Sequence, residues 1–298
     1  MATVAEHYER LLADVYSWMY GGWDASLARY TEFFAARNVA PRGSARAIDL
    51  GAGCGFQTIP LARRGFTVTA IDLDRKLLAE LEQHLNDEKV EIVCADLTEF
   101  RRHAPQSAEL IVCMVDTLLH LPSEEAVGRL LSDVAAALEP DGTFIATFRD
   151  FSIETTGLDR FISVRSDEQT VFDCFLEFEP ASVKVHDLVH RRVAGRGELR
   201  QQGLRGRYHA FYHRGAVTFE VTVRHGARVK HQRAARVNDE VRDVDEVHLA
   251  ELLAAKIEQR GIEAANRAVV EYIDARRGRR RLRARIQRRK RRYNQGNR

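Results

Sequence analysis

Cysteine is scarce and scattered: Cys54, Cys94, Cys113 and Cys174 are the four in 298 residues, and no two form a Cys-x-x-Cys pair. Three of them lie in or beside apolar runs, where a free thiol packs as a small hydrophobe. This usage points to a reducing, cytoplasmic compartment. No apolar run approaches the roughly 18 residues that a membrane span needs. "MATVAEHYER" has neither a basic start nor an apolar stretch, so no secretion signal is expected. Acid is absent from residues 276–298, which carry 13 Arg and Lys; residues 1–275 then hold 33 basic against 43 acidic side chains, a net −10. An acidic body and a basic tail are two separate things. Metal-ligating pairs are also missing. His186 and His190, like His209 and His213, are four apart but in strand-like or irregular segments, so helical zinc spacing does not apply and no metal is expected.

What is present is 45% hydrophobic residues, enough for a full core, in a length that suits one large α/β domain with an extension. Residues 1–44 read as two helices broken at Gly21–Gly22, with Tyr8, Tyr16, Trp18 and Tyr20 among their aromatics. Residues 45–150 alternate strands ("RAIDL", "TVTAIDL", "VEIVCADL", "ELIVCMVD", "TFIATFRD") with helices. Ser123-Glu124-Glu125 caps the helix that ends at Pro140–Gly142. Such alternation predicts a doubly wound, Rossmann-like and mostly parallel sheet with helices on both faces. Strand-like runs in 151–192 predict antiparallel additions to that sheet. Residues 193–275 turn Arg-, Gly- and His-rich, with one strand-like run, "AVTFEVTVRHG", and an amphipathic helix at 246–260. Residues 276–298 read as a solvated tail.

The chemistry concentrates in "AIDLGAGCGFQ", residues 47–57, where Asp49 ends an apolar run and Gly51, Gly53 and Gly55 follow. Glycine costs backbone entropy, and the return expected here is room for a ligand on the backbone. Asp49, Asp72, Asp96 and Asp116 stand near the ends of four successive strands, about one βα unit apart. Ligands of open parallel sheets bind beyond those ends. The dinucleotide fingerprint would need glycine at position 56, where Phe56 stands, and a carboxylate at 49 is ill-suited to a pyrophosphate. A nicotinamide-dependent oxidoreductase is therefore disfavoured.

"DLGAGCG" at 49–55 resembles the first motif of the class I S-adenosylmethionine-dependent methyltransferases, position for position. "AIDLD" and "CADL" are similar to the segments that carry the family's second and third acids. The resemblance implies S-adenosylmethionine as cofactor, held by Asp49, Gly51, Ala52, Gly53, Gly55, Asp72, Leu73, Asp96, Leu97 and Met114. In that family the second acid meets the ribose and the third lies beside the adenine. "CMVDTLLHLPS" and "TFRDFS" further resemble glycine N-methyltransferase-like small-molecule enzymes, with Val115 where those often carry glycine. That likeness places Asp116, His120 and Arg149 at the acceptor. Tyr16 and Tyr20 lie on the N-terminal helices, which often cover the cofactor in the wider family's fold, and are either substrate contacts or core. Arg149 either anchors an acceptor carboxylate or pairs with a nearby acid such as Asp150 or Asp116. His120 is either a base or an exposed loop histidine. The expected activity is methyl transfer to a small-molecule N or O nucleophile. The rival is a nucleic-acid-binding protein, or an RNA or DNA methyltransferase, resting on the tail alone.

Overall fold

Ala47 to Leu50 are buried without alternation, as a central parallel strand requires. They lie in β1 (Arg46–Leu50) of a computed structural model that describes residues 3–149, 151, 154–179 and 182–192, together with the backbone of 199–209 and 218–224. β2 (Thr67–Asp72), β3 (Val90–Cys94), β4 (Ala108–Cys113) and β5 (Leu138–Arg149) join it in parallel, each paired with its neighbour in the order β3-β2-β1-β4-β5. Strand order reverses between β1 and β4, so a crevice opens beyond their carboxyl ends.

Helices cover both faces. On one, α7 (Glu124–Ala137), started by the Ser123 hydroxyl accepting from Ala126 N–H, buries Val127, Leu130, Leu131 and Val134 against Ile111, Phe144 and Ala146. On the other, Phe34 of α3 (Trp23–Ala36) and Leu61 of α4 (Thr58–Arg63) pack on Ala47, Val68, Leu110, Val112 and Ile145. α5 (Arg75–His84) follows β2 and is capped by Asp74, whose carboxylate accepts from Lys76 and Leu77 N–H. The short α6 (Phe100–His103) joins β3 to β4.

The antiparallel strands depart from expectation. Rather than extending the first sheet, β6 (Phe161–Ser166), β7 (Thr170–Glu179), β8 (Ser182–Arg192) and β9 (Leu199–His209) form a second sheet in the order β6-β7-β8-β9. Their alternation explains it: Phe172, Cys174, Leu176, Val183, Val185 and Val189 make one apolar face, and a face needs a covering layer rather than an edge. The strand that does extend the first sheet is β10 (Thr218–Arg224), antiparallel to β5, within the run read as "AVTFEVTVRHG". The second sheet also crosses the boundary expected after residue 192, since β9 pairs along β8.

The N-terminal segment closes this face. It runs as α1 (Val4–His7), a π turn Tyr8–Leu12, a 3-10 turn Ala13–Val15 and α2 (Tyr16–Met19). Leu11, Leu12 and Val15 pack on Phe172 and Val189 of the second sheet. Lys76 of α5 holds the segment to the first, donating to Asp14 and to the Glu9 carbonyl, each at 2.8 Å. The helix expected at 246–260 and the basic tail 276–298 lie outside the described residues.

Candidate active site

The chain leaves β1 and turns through Gly51, Gly53 and Gly55, all left-handed at φ 80°, 53° and 91°. The expected room is not evenly shared among them. A Cβ on Gly51 would lie 2.5 Å from Thr117 Cγ2 and Oγ1, and one on Gly55 would overlap the Leu81 side chain. Those two glycines answer to protein packing. A Cβ on Gly53 would meet nothing nearer than 3.8 Å, from Leu77 and Tyr16, so Gly53 is the open position of the loop.

Two carboxylates frame that loop. Asp49 is buried; its Oδ2 accepts from the Thr58 hydroxyl at 2.7 Å, while its Oδ1 has no partner. Burial pushes its pKa up to about 7, the Thr58 bond opposing and the Asp72 charge adding to the shift. A buried oxygen without a partner calls for a donor from outside the chain. Asp72 ends β2 and braces the turn, its Oδ2 accepting from Gly53 N–H and its Oδ1 from Asp74 N–H, both at 2.8 Å. Burial raises its pKa and those backbone bonds oppose the rise.

The other expected cofactor residues divide by exposure. Asp96 is exposed and caps the following turn by accepting from Thr98 N–H and hydroxyl; Leu97 is half-buried and Leu73 is 48% exposed. Ala52 and Met114, by contrast, put their side chains into the core, Met114 beside Phe34, Val112 and Ile145. Only their backbones, such as the Met114 carbonyl that accepts from Thr117, stand at the loop end.

Beyond β4, Val115 and Asp116 are both left-handed, at φ 56° and 65°. This conformation is uncommon for any side chain and an outlier for a β-branched one. Two such residues store about 1–3 kcal/mol each. β5 holds them: Val115 N–H donates to the Thr147 hydroxyl at 2.9 Å and Asp116 N–H to the Thr147 carbonyl at 3.2 Å. Arg149 then grips the buried Asp116 carboxylate with its backbone N–H and its Nε–H, each at 2.6 Å. The acid that Arg149 pairs with is thus Asp116.

His120 is not an exposed loop histidine. It is half-buried, with its Nε2 3.2 Å from the Tyr8 hydroxyl and its ring edge-on to Tyr8 at 5.5 Å. Burial pushes its pKa down to about 4; Asp116 opposes this, and Arg149 and His7 add to it. It is therefore neutral at pH 7.

Tyrosines roof this rim. Tyr16 stacks on Phe56 of the glycine turn at 5.9 Å and tilts against Tyr20 at 5.1 Å, while Tyr30 stacks on Phe56 at 6.5 Å. Burial raises the pKa of all three, Tyr30 to about 12, and the charge of Asp116 reaches both Tyr20 and Tyr30. The roof is clasped from behind by a buried pair, His7 Nε2 to Asp187 Oδ2 at 2.7 Å, joining the N-terminal segment to β8. Sequence reasoning missed Phe56, Thr58, Thr117, Thr147, His7 and Asp187. Asp187 had a signal: it is the one acid on the apolar face of β8. Among the described residues no three His, Cys, Asp or Glu come together as a metal group.

Residues 47–142 match the family described as "Methyltransferase domain". The glycine/sarcosine N-methyltransferase of Aphanothece halophytica is 26% identical over 133 residues, 44% of this chain and 50% of that protein. The ubiquinone biosynthesis O-methyltransferase of Xanthomonas campestris is 32% identical over 119 residues, 39% of this chain and 47% of that protein. The chain thus spans about half the length of these relatives. In fold it resembles S-adenosylmethionine-bound CalS10, an amino pentose methyltransferase from Micromonospora echinaspora. The TM-score is 0.52 at 18% identity, over 67% of this chain and 83% of that one.

Proposed function

We propose that this chain, a class I methyltransferase in fold, transfers a methyl group from S-adenosylmethionine to a nitrogen or oxygen of a small-molecule acceptor. The observation that carries this reading is the Gly51–Gly55 loop. Its open position is at Gly53, Asp72 braces it through the Gly53 N–H, and Asp49 beside it keeps one buried oxygen without a partner. Those features fit a ligand that bears both an ammonium and a ribose. Asp49 would hold the ammonium and Asp72 the ribose hydroxyls through its remaining lone pairs. The exposed Leu73, with Asp96 and Leu97, would border the adenine; Gly51, Gly55, Ala52 and Met114 contribute through the backbone.

S-adenosylmethionine, when bound, supplies an activated methyl on a sulfonium, so the protein needs no nucleophile of its own. Its residues have to align the acceptor and keep water away, which is where most of such a rate enhancement arises. Tyr16 and Tyr20 close over the loop, and Asp116 with Arg149 sets a rigid polar wall across the crevice. His120, neutral near pH 7 and bonded to the Tyr8 hydroxyl, is the candidate to take a proton leaving an amine or hydroxyl acceptor. The relatives are named for amine and for oxygen acceptors, and a small-molecule acceptor is the class they share.

The test is a calorimetric titration with S-adenosylmethionine, S-adenosylhomocysteine and NAD, followed by an acceptor screen with labelled methyl donor. Binding of both sulfur nucleosides and labelling of a small amine or hydroxyl compound supports the reading. Stabilisation by NAD alone contradicts it.

A further inference from the structure

The turn after β4 departs from ordinary backbone preference without a glycine. Val115 and Asp116 are consecutive left-handed residues, and Val115 carries a β-branched side chain at φ 56°. Left to itself, such a turn relaxes towards right-handed or extended backbone. Thr147 prevents this with both of its polar groups, the hydroxyl accepting from Val115 N–H and the carbonyl from Asp116 N–H. Thr147 is itself buried in β5, two residues before Arg149, so the clamp is anchored in a central strand.

What the turn presents depends on that anchor in two directions. Outward, Asp116 offers its carboxylate to the backbone and side chain of Arg149. Inward, Thr117 follows directly, its hydroxyl bonded to the Met114 carbonyl at 2.7 Å and its side chain filling the space that a Cβ on Gly51 would take. A turn that relaxed would carry Thr117 off the glycine loop and Asp116 off Arg149 together.

We propose that Thr147 is a positioning residue: through its hydroxyl it holds the strained Val115–Asp116 turn, and so sets both the glycine loop that binds the methyl donor and the Asp116–Arg149 wall facing the acceptor. It touches neither ligand. The assignment of the two ligands rests on the function proposed above; the clamp itself does not.

The experiment compares Thr147→Val, Thr147→Ser, Val115→Gly and the double variant Val115→Gly/Thr147→Val. The readouts are melting temperature and S-adenosylhomocysteine affinity by calorimetry. Thr147→Val keeps the shape, leaves the part-buried Val115 N–H without its acceptor and frees the strained turn to relax, so affinity should fall about 5- to 20-fold with a lower melting temperature. Thr147→Ser keeps the hydroxyl and should bind within about twofold of wild type. Glycine adopts left-handed backbone without strain, so Val115→Gly should recover part of the lost melting temperature and affinity in the Thr147→Val background, although the N–H at 115 still lacks its acceptor. A Thr147→Val protein that binds like wild type, or a double variant that recovers nothing, overturns the proposal. If Thr147→Val alone does not fold, the double variant decides the matter, since recovery of folding and binding by glycine is specific to a strained turn. Should the wild type not bind S-adenosylhomocysteine at all, the proposed function fails, and the rescue of melting temperature by Val115→Gly still judges the clamp.

Discussion

Arg149 and Asp116 are joined twice, the backbone N–H of Arg149 to one carboxylate oxygen and its Nε–H to the other, each at 2.6 Å. The pair bridges the ends of β4 and β5 and gives the crevice a wall with fixed charges. The arginine also lies 5.1 Å above the Phe151 ring, so its plane is set from two sides.

Replacing Arg149 by Lys keeps the charge and loses the planar Nε–H. The arginine side chain is 45% exposed, so screening limits the pair to about 1 kcal/mol or less. Melting temperature should fall by roughly 2–4 °C. KM for the acceptor should rise while S-adenosylhomocysteine affinity stays within about twofold, because the glycine loop is untouched. Parallel loss of both affinities would mean that the pair supports the donor site as well.

Asp49 gives the apo protein a pH dependence of known sign. Its folded-state pKa is raised from an ordinary value near 3.8 to about 7. The folded state therefore holds that proton more tightly than the unfolded chain. The associated stability is fully present below about pH 4 and is lost as pH rises through 7. Asp49→Asn should abolish this component, so wild type should lose melting temperature relative to the variant between pH 5 and 8. S-adenosylmethionine affinity should run the other way, rising in wild type as Asp49 ionises and staying weak and flat in Asp49→Asn. Superimposable pH profiles for the two proteins would remove Asp49 from the donor site.

His120 carries the opposite stability dependence. Its pKa is depressed from an ordinary 6.5 to about 4, so the stability from keeping it neutral is present above pH 6.5 and lost as pH falls through 4. His120→Asn should be less acid-sensitive than wild type over that window, by thermal melts. The same variant should lower kcat by about 10²- to 10⁴-fold if the ring takes a proton from the acceptor. An unchanged kcat would leave His120 a packing partner of Tyr8.

What could be read in advance was local. Asp49 to Gly55 are consecutive, and one backbone turn places them, so their spacing already carries the geometry. The βα alternation carried the sheet for the same reason, since each strand is bounded by its own helix signals. What escaped was made by distant partners. His7 meets Asp187 across 180 residues of chain, and Thr147 meets Val115 and Asp116 only because β5 lies beside β4. The separate second sheet escaped because alternation shows that β7 and β8 have an apolar face but not which layer covers it. Val115 is the instructive case: its missing glycine is visible in the sequence, whereas the clamp that tolerates it is visible only in Thr147.

Binding of the methyl donor at Asp72 is the central claim, and calorimetric titration of S-adenosylhomocysteine into wild type and Asp72→Ala tests it most directly. Asp72 both braces Gly53 and faces the proposed ribose position. Removing its charged acceptor should cost about 1.5–3 kcal/mol, an affinity loss of roughly 10- to 100-fold with cooperative unfolding retained. Equal affinity in the two proteins, or no binding to a folded wild type, would contradict the account.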